Sequence, residues 1–561
     1  MTEEEIDALL QGTEEFTQRT APERTAAVIN AEAEAFFTTF TQERDTPNPE
    51  KPWMKHHKFV MPTSVEEVKQ IVDAAIASGH CALDLETEGL DNRIRYDAEG
   101  NPFTVHKIVG YCLCYDGLTG YYIPVGHHVD EDDPNVRPVA DVESEIRKLC
   151  LASQPVLAEA ETDKLGGRNI VTPPRVVIGF WHAKFDQEFL YPITGIDWWH
   201  PESFEDGNLA GFTILSSDKN LSLKAKSKER LHDPDGNPYE QIELKELFLQ
   251  GRPIKFATLD PREPGVLKYA GADAICTFKH CFEGDLMTQA KSQKHLFTYR
   301  LEKQCCQALR VMERCQVKID RDEVVRVLDE AQLEQIDYAK KIDALAKKFG
   351  FNDFNPASGK QLSDFLFGEH GLKLTPKPEK TSEGSDQYKT DAKTLEGLID
   401  TLPDEDATDN VLVWIVKLRQ IGKIVGTYLE GMLESLDTDN QVRVQFKQTG
   451  AATGRFSAPS GDPADGACSI PMHGIPARFD PKRPKCANSL RRVFVARDGY
   501  TLVKCDYAGQ ELRIVANVSG EPVWAKEFLE GEGDLHSITA RAFFGKAEVT
   551  KEERSRGKSA N

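Results

Sequence analysis

Short apolar runs that favour strands alternate with helical patterns between about Phe59 and Thr288. The strand-like runs are CALDLE, IVGYCLCY, YYIPVG and RVVIGFW, and SVEEVKQIVDAAIAS is one of the helical segments. Such alternation is typical of α/β domains, in which helices cover the faces of a central sheet. The sequence therefore predicts an α/β domain, whose limits we set at residues 56–292.

The pattern changes twice beyond this domain. A helical pattern runs from Phe297 to about Tyr428, and near-helical spacing relates Val325, Leu328, Gln332, Ile336, Ala339 and Ile342. From Val442 onward the strand-like runs VRVQF and TLVKCDY flank a stretch rich in glycine and proline, after which helical segments resume. We therefore predict a multidomain α/β chain with a helical domain at 293–440 and a further domain at 441–561.

Composition limits the class of protein. The chain has 561 residues, of which 40% are hydrophobic, enough for about three or four domains with ordinary cores. We find no apolar run of about 18 residues and no secretory signal, so no membrane partner is expected. The 12 cysteines form no CxxC pair, which favours buried thiols over zinc sites. We expect a cytoplasmic protein, in a cell or in a phage-infected host.

The formal net charge of −22 is unevenly distributed. Residues 1–50 hold 12 acidic and 3 basic side chains, which predicts an acidic extension at 1–55 without an assignable task. Residues 478–504 instead hold eight basic side chains and two acidic ones. This basic stretch fits either a surface that faces phosphates or an ordinary solvated loop, because binding depends on where charge lies.

Five side chains suggest a metal-dependent reaction. Asp84 and Glu86 are two residues apart in a strand-like run, so an extended backbone projects both to one face. Asp186 follows another strand-like run, and Tyr269 lies one helical turn before Asp273. An isolated acidic pair is usually only solvated, but four acids with a phenol suit phosphodiester hydrolysis by two cations. Hard oxygen ligands favour Mg²⁺ or Mn²⁺.

These residues lie in three short segments, DxE, then xxKFD, then YxxxD. The segments and their order resemble the three exonuclease motifs of the DnaQ-like 3'-5' proofreading superfamily, which has a ribonuclease H-like fold. The resemblance implies that the metal ligands are Asp84, Glu86, Asp186 and Asp273. It also implies that Tyr269 orients the attacking water and that Thr87 and Leu90 contact the terminal nucleotide. His182 stands where the family commonly has Asn. An inactive, structurally retained domain is the alternative.

The segments TGRFS, LRRVFVARDGYTLVKCDYAGQELRIVANVSGE and GDLHSITARAFFG resemble family A DNA polymerases of the Klenow type. The resemblance implies a helical thumb, a partial palm and the start of the fingers. It makes Asp506 the ligand of both polymerase metals. Nucleotide-binding roles then fall to Tyr507, Glu511, His536, Arg554 and Lys558, and DNA-binding roles to Arg419, Lys423, Arg455 and Arg491.

Two departures from the family pattern weaken the expected DNA contacts. Gly509 replaces a polar side chain that can contact the primer strand. Cys468 and Ser469 replace the Gln-Asn pair that commonly precedes Ile-Pro, and GDPADGA lengthens the loop before them. The sequence therefore predicts DNA contacts that differ from those of the family.

The last stretch, TKEERSRGKSAN, predicts the opening turns of a helix. Thr550 and Glu553 form a capping-box start, and the spacing of Arg554 and Lys558 places them on one face. Family members continue this helix and later supply a second metal-binding aspartate. We therefore expect a polymerase truncated or split within this motif, with a second polypeptide carrying the rest, or else an incomplete record.

Together these features predict DNA replication by a template-directed family A polymerase with 3'-5' proofreading. Its partners are a DNA primer-template and dNTPs, and its polymerase site is incomplete in this chain. Two alternatives stay open: a stand-alone 3'-5' exonuclease, and a noncatalytic DNA-binding or assembly subunit.

Overall fold

The computed structural model describes residues 48–129, 132–162, 168–248, 255–375, 378–382, 387–399, 410–459, 470–476, 483–531 and 534–560. The chain divides into two compact units after Val493, and each is described by itself. Most of the predicted acidic extension lies outside the described residues. Its last part is misassigned, because Trp53 is fully buried and its ring stacks on Tyr239 at 4.3 Å. The α/β domain therefore begins before residue 56.

The strands of the described residues are β1 (Lys58–Val60), β2 (His80–Thr87), β3 (Ile94–Tyr96), β4 (Pro102–Thr104), β5 (Ile108–Cys114), β6 (Thr119–Pro124), β7 (Val156–Thr162), β8 (Arg168–Thr172), β9 (Val177–Phe180), β10 (Phe204–Asp206), β11 (Val317–Lys318) and β12 (Gln441–Val442). Six of them form the main sheet in the order β1-β6-β5-β2-β9-β10. The pairs β6–β5 and β5–β2 are antiparallel, and the remaining pairs are parallel. The predicted α/β domain is thus built on a mixed sheet.

The helices of the first unit are α1 (Val65–Ser78), α2 (Val139–Ala152), α3 (Ala183–Thr194), α4 (Gly207–Ile214), α5 (Leu223–Arg230), α6 (Pro264–Phe278), α7 (Asp285–Ala290), α8 (Leu296–Arg314), α9 (Arg321–Lys348), α10 (Gly359–Phe367), α11 (Ala392–Ile399), α12 (Val411–Lys423), α13 (Gly431–Ser435) and α14 (Lys485–Ser489). α1 shows why the prediction succeeded. The Ser64 hydroxyl caps its start by accepting from the Glu67 N–H, and Gly79 ends it at φ +79°. None of the described helices combines the length and apolar character needed to cross a membrane.

Apolar side chains pack on both faces of the main sheet. Leu83 and Leu85 of β2 face α1, α2 and α3, whereas Ala82 on the same strand faces α6. Because strand side chains alternate between faces, Asp84 and Glu86 share the face of Ala82. The sheet therefore directs the acidic pair toward α6.

Two glycines let α6 lie close to the sheet. A Cβ built on Gly120 of β6 would lie 2.4 Å from the carbonyl oxygen of Gly271, in α6. A Cβ on Gly271 would lie 2.8 Å from the Phe59 ring. Larger residues at either position would push the helix away, so these glycines set the depth at which α6 carries Tyr269 and Asp273.

In the helical domain, the buried face of α9 differs from the face that the sequence predicts. Its buried side chains are Val324, Val327, Ala331, Ile342 and Ala346. Only Ile342 belongs to the predicted set, and both Val325 and Ile336 are 37% exposed. α9 carries apolar residues on neighbouring rows, and packing against α12, α14 and Leu490–Val493 selects a row offset by one residue from the predicted one.

Two predicted strands near the domain border are wrong in whole or in part. Of VRVQF, only Val442 lies in a strand, where β12 pairs with β11. TLVKCDY forms no strand, and residues 500–507 are exposed. A strand needs a neighbour to satisfy its backbone donors and acceptors, and no described strand pairs with this segment. The second unit instead contains α15 (Gln510–Ser519), α16 (Pro522–Glu530), α17 (Leu535–Phe544) and α18 (Lys551–Ala560).

Candidate active site

The predicted acidic pair, Asp84 and Glu86, lies on β2. Its side chains are on the face of the sheet that faces α6, and we call this face the wall of the site. In the antiparallel pairing with β5, Asp84 is opposite Cys112 and Glu86 is opposite Gly110. Gly110 is required here because a Cβ would lie 2.4 Å from the Tyr122 ring. One oxygen of each carboxylate and the Cys112 sulfur lie within 4.8 Å of one another.

Asp186 reaches the same site from the first turn of α3. Its side chain is buried, with 4% of the residue exposed. Burial and the charge of Asp84 raise the pKa of Asp186, whereas contact with the backbone N–H of Leu85 lowers it. Because Leu85 separates Asp84 from Glu86, this contact places Asp186 beside the pair. His182 occupies the N-cap position of α3 without a capping bond from its side chain.

Asp273 and Tyr269 approach from α6, on the opposite wall. Asp273 accepts a hydrogen bond from the Gln241 amide, Nε2 to Oδ1 at 2.8 Å. The Lys224 ammonium lies 5.1 Å from the centroid of the half-buried Tyr269 ring. Lys224 also donates to the carbonyl oxygen of Ile242 at 3.0 Å. Sequence reasoning missed both Gln241 and Lys224, because they come from a turn and a short helix with no recognisable motif.

Repulsion among the carboxylates shows that the site concentrates negative charge. Burial raises the pKa of Asp84, and the charge of Asp273 raises it further. Burial and the charges of Asp273, Asp84 and Asp186 likewise raise the pKa of Glu86, while Lys224 lowers it. Burial raises the pKa of Asp273 to about 6 against the opposing charge of Lys224. The structure therefore brings the four predicted acids together.

This site should make the metal-free protein less stable as pH rises. The pKa of Asp273 is 3.8 in the unfolded chain and about 6 in the folded protein. Its contribution to the free energy of unfolding is therefore fully present below the unfolded pKa and is lost as pH rises through the folded pKa. We expect a higher thermal midpoint at about pH 5 than at about pH 7.5, measured by differential scanning calorimetry in EDTA. The Asp273→Asn variant should show a smaller difference, and an unchanged difference would contradict this assignment.

The donor set fits Mg²⁺ or Mn²⁺. Carboxylate oxygens are the ligands that hard divalent cations prefer, and a cation would offset the mutual repulsion of Asp84, Glu86, Asp186 and Asp273. The predicted cofactor is therefore compatible with the site.

Removing the Gln241 amide should weaken metal binding through Asp273. Gln241 is 4% exposed, and its side chain fixes the orientation of the Asp273 carboxylate. We expect Gln241→Leu to lower Mn²⁺ affinity by about 10- to 100-fold, the range for partners that orient metal ligands. Isothermal titration with Mn²⁺ measures this, with Gln307→Leu as the control because Gln307 donates to Gln187 instead. Equal affinities for the wild type and Gln241→Leu would contradict the prediction.

The two residues predicted to contact the terminal nucleotide lie at the end of β2 and just beyond it. Thr87 is half-buried, and its hydroxyl donates to the Gly89 carbonyl oxygen at 2.9 Å. Leu90 is 48% exposed. Their nucleotide contacts stay a prediction.

The predicted DNA-binding side chains of the first unit are spread over several elements. Arg419 of α12 donates to the carbonyl oxygens of Thr390 and Pro356, so it braces the adjacent turn. Lys423, Arg455 and Arg491 are exposed, and the last donates to the Pro476 carbonyl oxygen at 2.7 Å. Their DNA contacts stay predictions.

In the second unit, the polymerase-like residues lie at the start of α15 and before it. Asp506, Tyr507 and Glu511 are exposed, with Tyr507 at 79%. Gly509 takes φ +62° at the N-cap of α15, a conformation that disfavours the polar side chains expected there. Asp506 therefore stands in an irregular, solvated segment rather than at the end of a strand.

The last two helices bring three predicted nucleotide-binding residues together. The charges of Arg554 and Lys558 of α18 both lower the pKa of His536 in α17, after the larger effect of burial. Arg554 also forms a bidentate pair with Asp534, at 2.9 Å for both bonds. The predicted capping box is confirmed, since Thr550 and Glu553 exchange hydrogen bonds of 2.9 and 3.2 Å.

Comparisons with known proteins agree with the polymerase-like motifs. Residues 323–561 match the family model described as DNA polymerase family A. The chain is 33% identical over 264 residues to DNA polymerase I of Caldicellulosiruptor bescii, covering 46% of this chain and 27% of that protein. It is 25% identical over 511 residues to DNA polymerase I of Treponema pallidum, covering 87% of this chain and 44% of that protein. The chain thus spans less than half the length of these relatives.

A solved structure is similar in fold to most of the chain. It is the POL domain of Pol1 from M. smegmatis in complex with DNA primer-template and dNTP, with a TM-score of 0.57 and 18% identity. The match covers 88% of this chain and 69% of that one. The fold is accordingly a multidomain α/β arrangement of the family A type. The part of the chain from residue 323 to residue 561 is therefore similar to DNA polymerase family A.

Proposed function

We propose that this chain is the proofreading part of a family A DNA polymerase and removes nucleotides from the 3' end of DNA. Its sheet domain would be a ribonuclease H-like exonuclease, and its remaining domains would hold the primer-template. The observation that carries the proposal is the convergence of Asp84, Glu86, Asp186 and Asp273 on one site.

Similarity beyond the family model supports including the sheet domain. The alignment with the Treponema pallidum polymerase spans 511 residues, more than residues 323–561 can hold, so it reaches into the α/β domain. A 29% identical alignment of 445 residues with DNA polymerase I of Chloroflexus aurantiacus does the same. The exonuclease activity itself is our inference from the carboxylates.

The four acids would hold two Mg²⁺ or Mn²⁺ ions, which activate water and stabilise charge on the transferring phosphoryl group when bound. Gln241 keeps the Asp273 carboxylate in one orientation. Tyr269 presents its phenol beside these acids and would orient the attacking water. The buried sheet and α6 exclude bulk water from one side, and the exposed Leu90 would contact the terminal nucleotide.

Selection of mismatched ends would follow from the cost of unpairing. A primer end must leave the duplex before it enters a site built for a single strand. The free-energy cost of this unpairing is lowest for a mismatched end. The exposed basic residues Lys423, Arg455 and Arg491 would hold the duplex through its phosphates without reading sequence.

We propose a second polypeptide as a partner in primer extension. The second unit exposes large apolar side chains, with Val503, Val518 and Leu529 between 77% and 85% exposed. Burying such groups is favourable, and a pairing strand would also satisfy the backbone of residues 500–507. That partner would add the second carboxylate that polymerase chemistry requires beside Asp506.

Digestion of a single-stranded oligonucleotide tests the nuclease. The substrate carries a 5' label, and the purified full chain is incubated with Mg²⁺ or with EDTA. We expect a ladder that shortens one nucleotide at a time from the 3' end and only with Mg²⁺. Binding without digestion would favour the noncatalytic subunit.

Adding a candidate partner with the remaining palm sequence then tests the polymerase. We expect primer extension only from the mixture, in the presence of all four dNTPs. Digestion without any gain of extension would favour the stand-alone exonuclease, whose site lies entirely within the first unit.

A further inference from the structure

The Cys112 thiol forms part of the wall that carries the acidic pair. It is fully buried, and the antiparallel register sets it directly opposite Asp84. Directly opposite residues share a face of the sheet, which explains why its sulfur lies within 4.8 Å of the Asp84 and Glu86 oxygens. The wall therefore offers three adjacent ligand atoms, two oxygens and one sulfur.

All four carboxylates act electrostatically on the Cys112 thiol. After burial, the charges of Glu86, Asp84, Asp273 and Asp186 each raise the pKa of the Cys112 thiol. Cys114 is different, although it is buried on the same strand. Burial raises its pKa to about 12, and Asp116, outside the site, is the main charge acting on it.

Sulfur changes the class of cation that such a wall can hold. Thiolates are soft ligands that favour Zn²⁺ and similar ions, whereas Mg²⁺ and Mn²⁺ prefer oxygen. Zn²⁺ accepts cysteine sulfur and carboxylate oxygen as ligands, and water completes a site that has three protein ligands. Two carboxylates and one thiol thus provide three protein ligands for such an ion.

We propose that Asp84, Glu86 and Cys112 form a site for a thiophilic divalent cation of the Zn²⁺ class, which inhibits the nuclease by displacing its catalytic ions. The inhibition, though not the binding, rests on the proposed function. On binding, the Sγ–H bond breaks, its proton leaves to solvent and the sulfur donates an electron pair to the cation. Neither sulfur nor metal changes oxidation state.

Cadmium titration of the full chain tests the site directly. The Cd²⁺–thiolate bond absorbs in the ultraviolet, and the exposed Cys315 and Cys505 are first changed to Ser to remove their signal. In this background we expect Cys112→Ser to lose one absorption step and to weaken Cd²⁺ binding by at least about tenfold. Cys114→Ser, the matched control on the same strand, should keep both. An unchanged signal in Cys112→Ser would overturn the proposal.

Inhibition by zinc supplies a second measurement. With Mg²⁺ present, Cys112→Ser should need at least about tenfold more Zn²⁺ than the wild type for half inhibition of digestion. Cys112→Ala should behave alike, and its thermal midpoint shows whether the strand stays folded. Equal inhibition of wild type and both variants would overturn the inference while the nuclease stands. A cadmium signal that depends on Cys112, in a chain without digestion, would instead refute the proposed function alone.

Discussion

The Asp84→Ala, Glu86→Ala double variant is expected to lose digestion of single-stranded DNA by at least about a thousandfold, or ~4 kcal/mol of transition-state stabilisation. Both carboxylates lie on the wall of β2 where the four acids meet, and their loss leaves Asp186 and Asp273 without the ligands needed for two cations. The measurement is the rate of 3' nucleotide release at saturating Mg²⁺.

Loss of folding cannot explain this effect. Burial and mutual repulsion raise the pKa of both removed groups, so the metal-free double variant should be at least as stable as the wild type. Its thermal midpoint in EDTA checks this point, and retained binding of single-stranded DNA in Ca²⁺ checks the remaining surface. A less stable variant would mean that the pair supports the fold.

A matched control removes the same residue types from an exposed helix. Glu66 and Asp73 lie on α1, where their side chains are 68% and 52% exposed and pair with Lys69 and Lys148. The Glu66→Ala, Asp73→Ala double variant should digest DNA like the wild type, because exposed pairs contribute little. Persistent digestion by the Asp84, Glu86 variant would place the chemistry elsewhere.

Local periodicity accounts for the parts of the site that the sequence predicted. Period two in a strand fixed Asp84 and Glu86 on one face, and the helical repeat fixed Tyr269 beside Asp273. Both rules depend on residues near each other in the chain. The convergence of β2, α3 and α6 followed from the resemblance to the exonuclease motifs, not from periodicity.

Long-range pairing explains what sequence reasoning missed. Cys112 enters the site because β5 pairs with β2 in one register, and a shift of one residue would turn it to the other face. Gln241 and Lys224 arrive through a turn and a short helix whose position depends on the packed core. TLVKCDY has a strand-like composition, yet composition alone supplies no partner strand for its backbone.

The ion pair beneath α3 should be the most sensitive point for the stability of the site. Glu188, two residues after Asp186, accepts a hydrogen bond at 3.0 Å from Arg310 of α8, and their side chains are 3% and 1% exposed. Arg314 donates two further hydrogen bonds to Glu188, at 2.7 and 3.0 Å. The pair thus joins α3, which carries Asp186, to α8.

Glu188→Ala is expected to destabilise this region by about 3–5 kcal/mol, because it leaves the Arg310 charge buried without a counter-ion. Hydrogen–deuterium exchange of peptides from α3 and α8 measures the local opening free energy. Glu202→Ala is the control, since Glu202 and Arg300 form a more exposed pair, 45% and 29%, which should contribute about 0–1 kcal/mol.

A Glu188→Leu, Arg310→Met double variant distinguishes the charge from the packing. Replacing both partners removes the uncompensated charge, so most of the lost stability should return. Arg314 keeps its pair with Asp197 at 2.7 Å and stays partly exposed, so it needs no buried counter-ion. If the double variant were as unstable as Glu188→Ala, the shape of the side chains rather than their charge would hold α3 against α8. The position of Asp186 would then depend on packing alone.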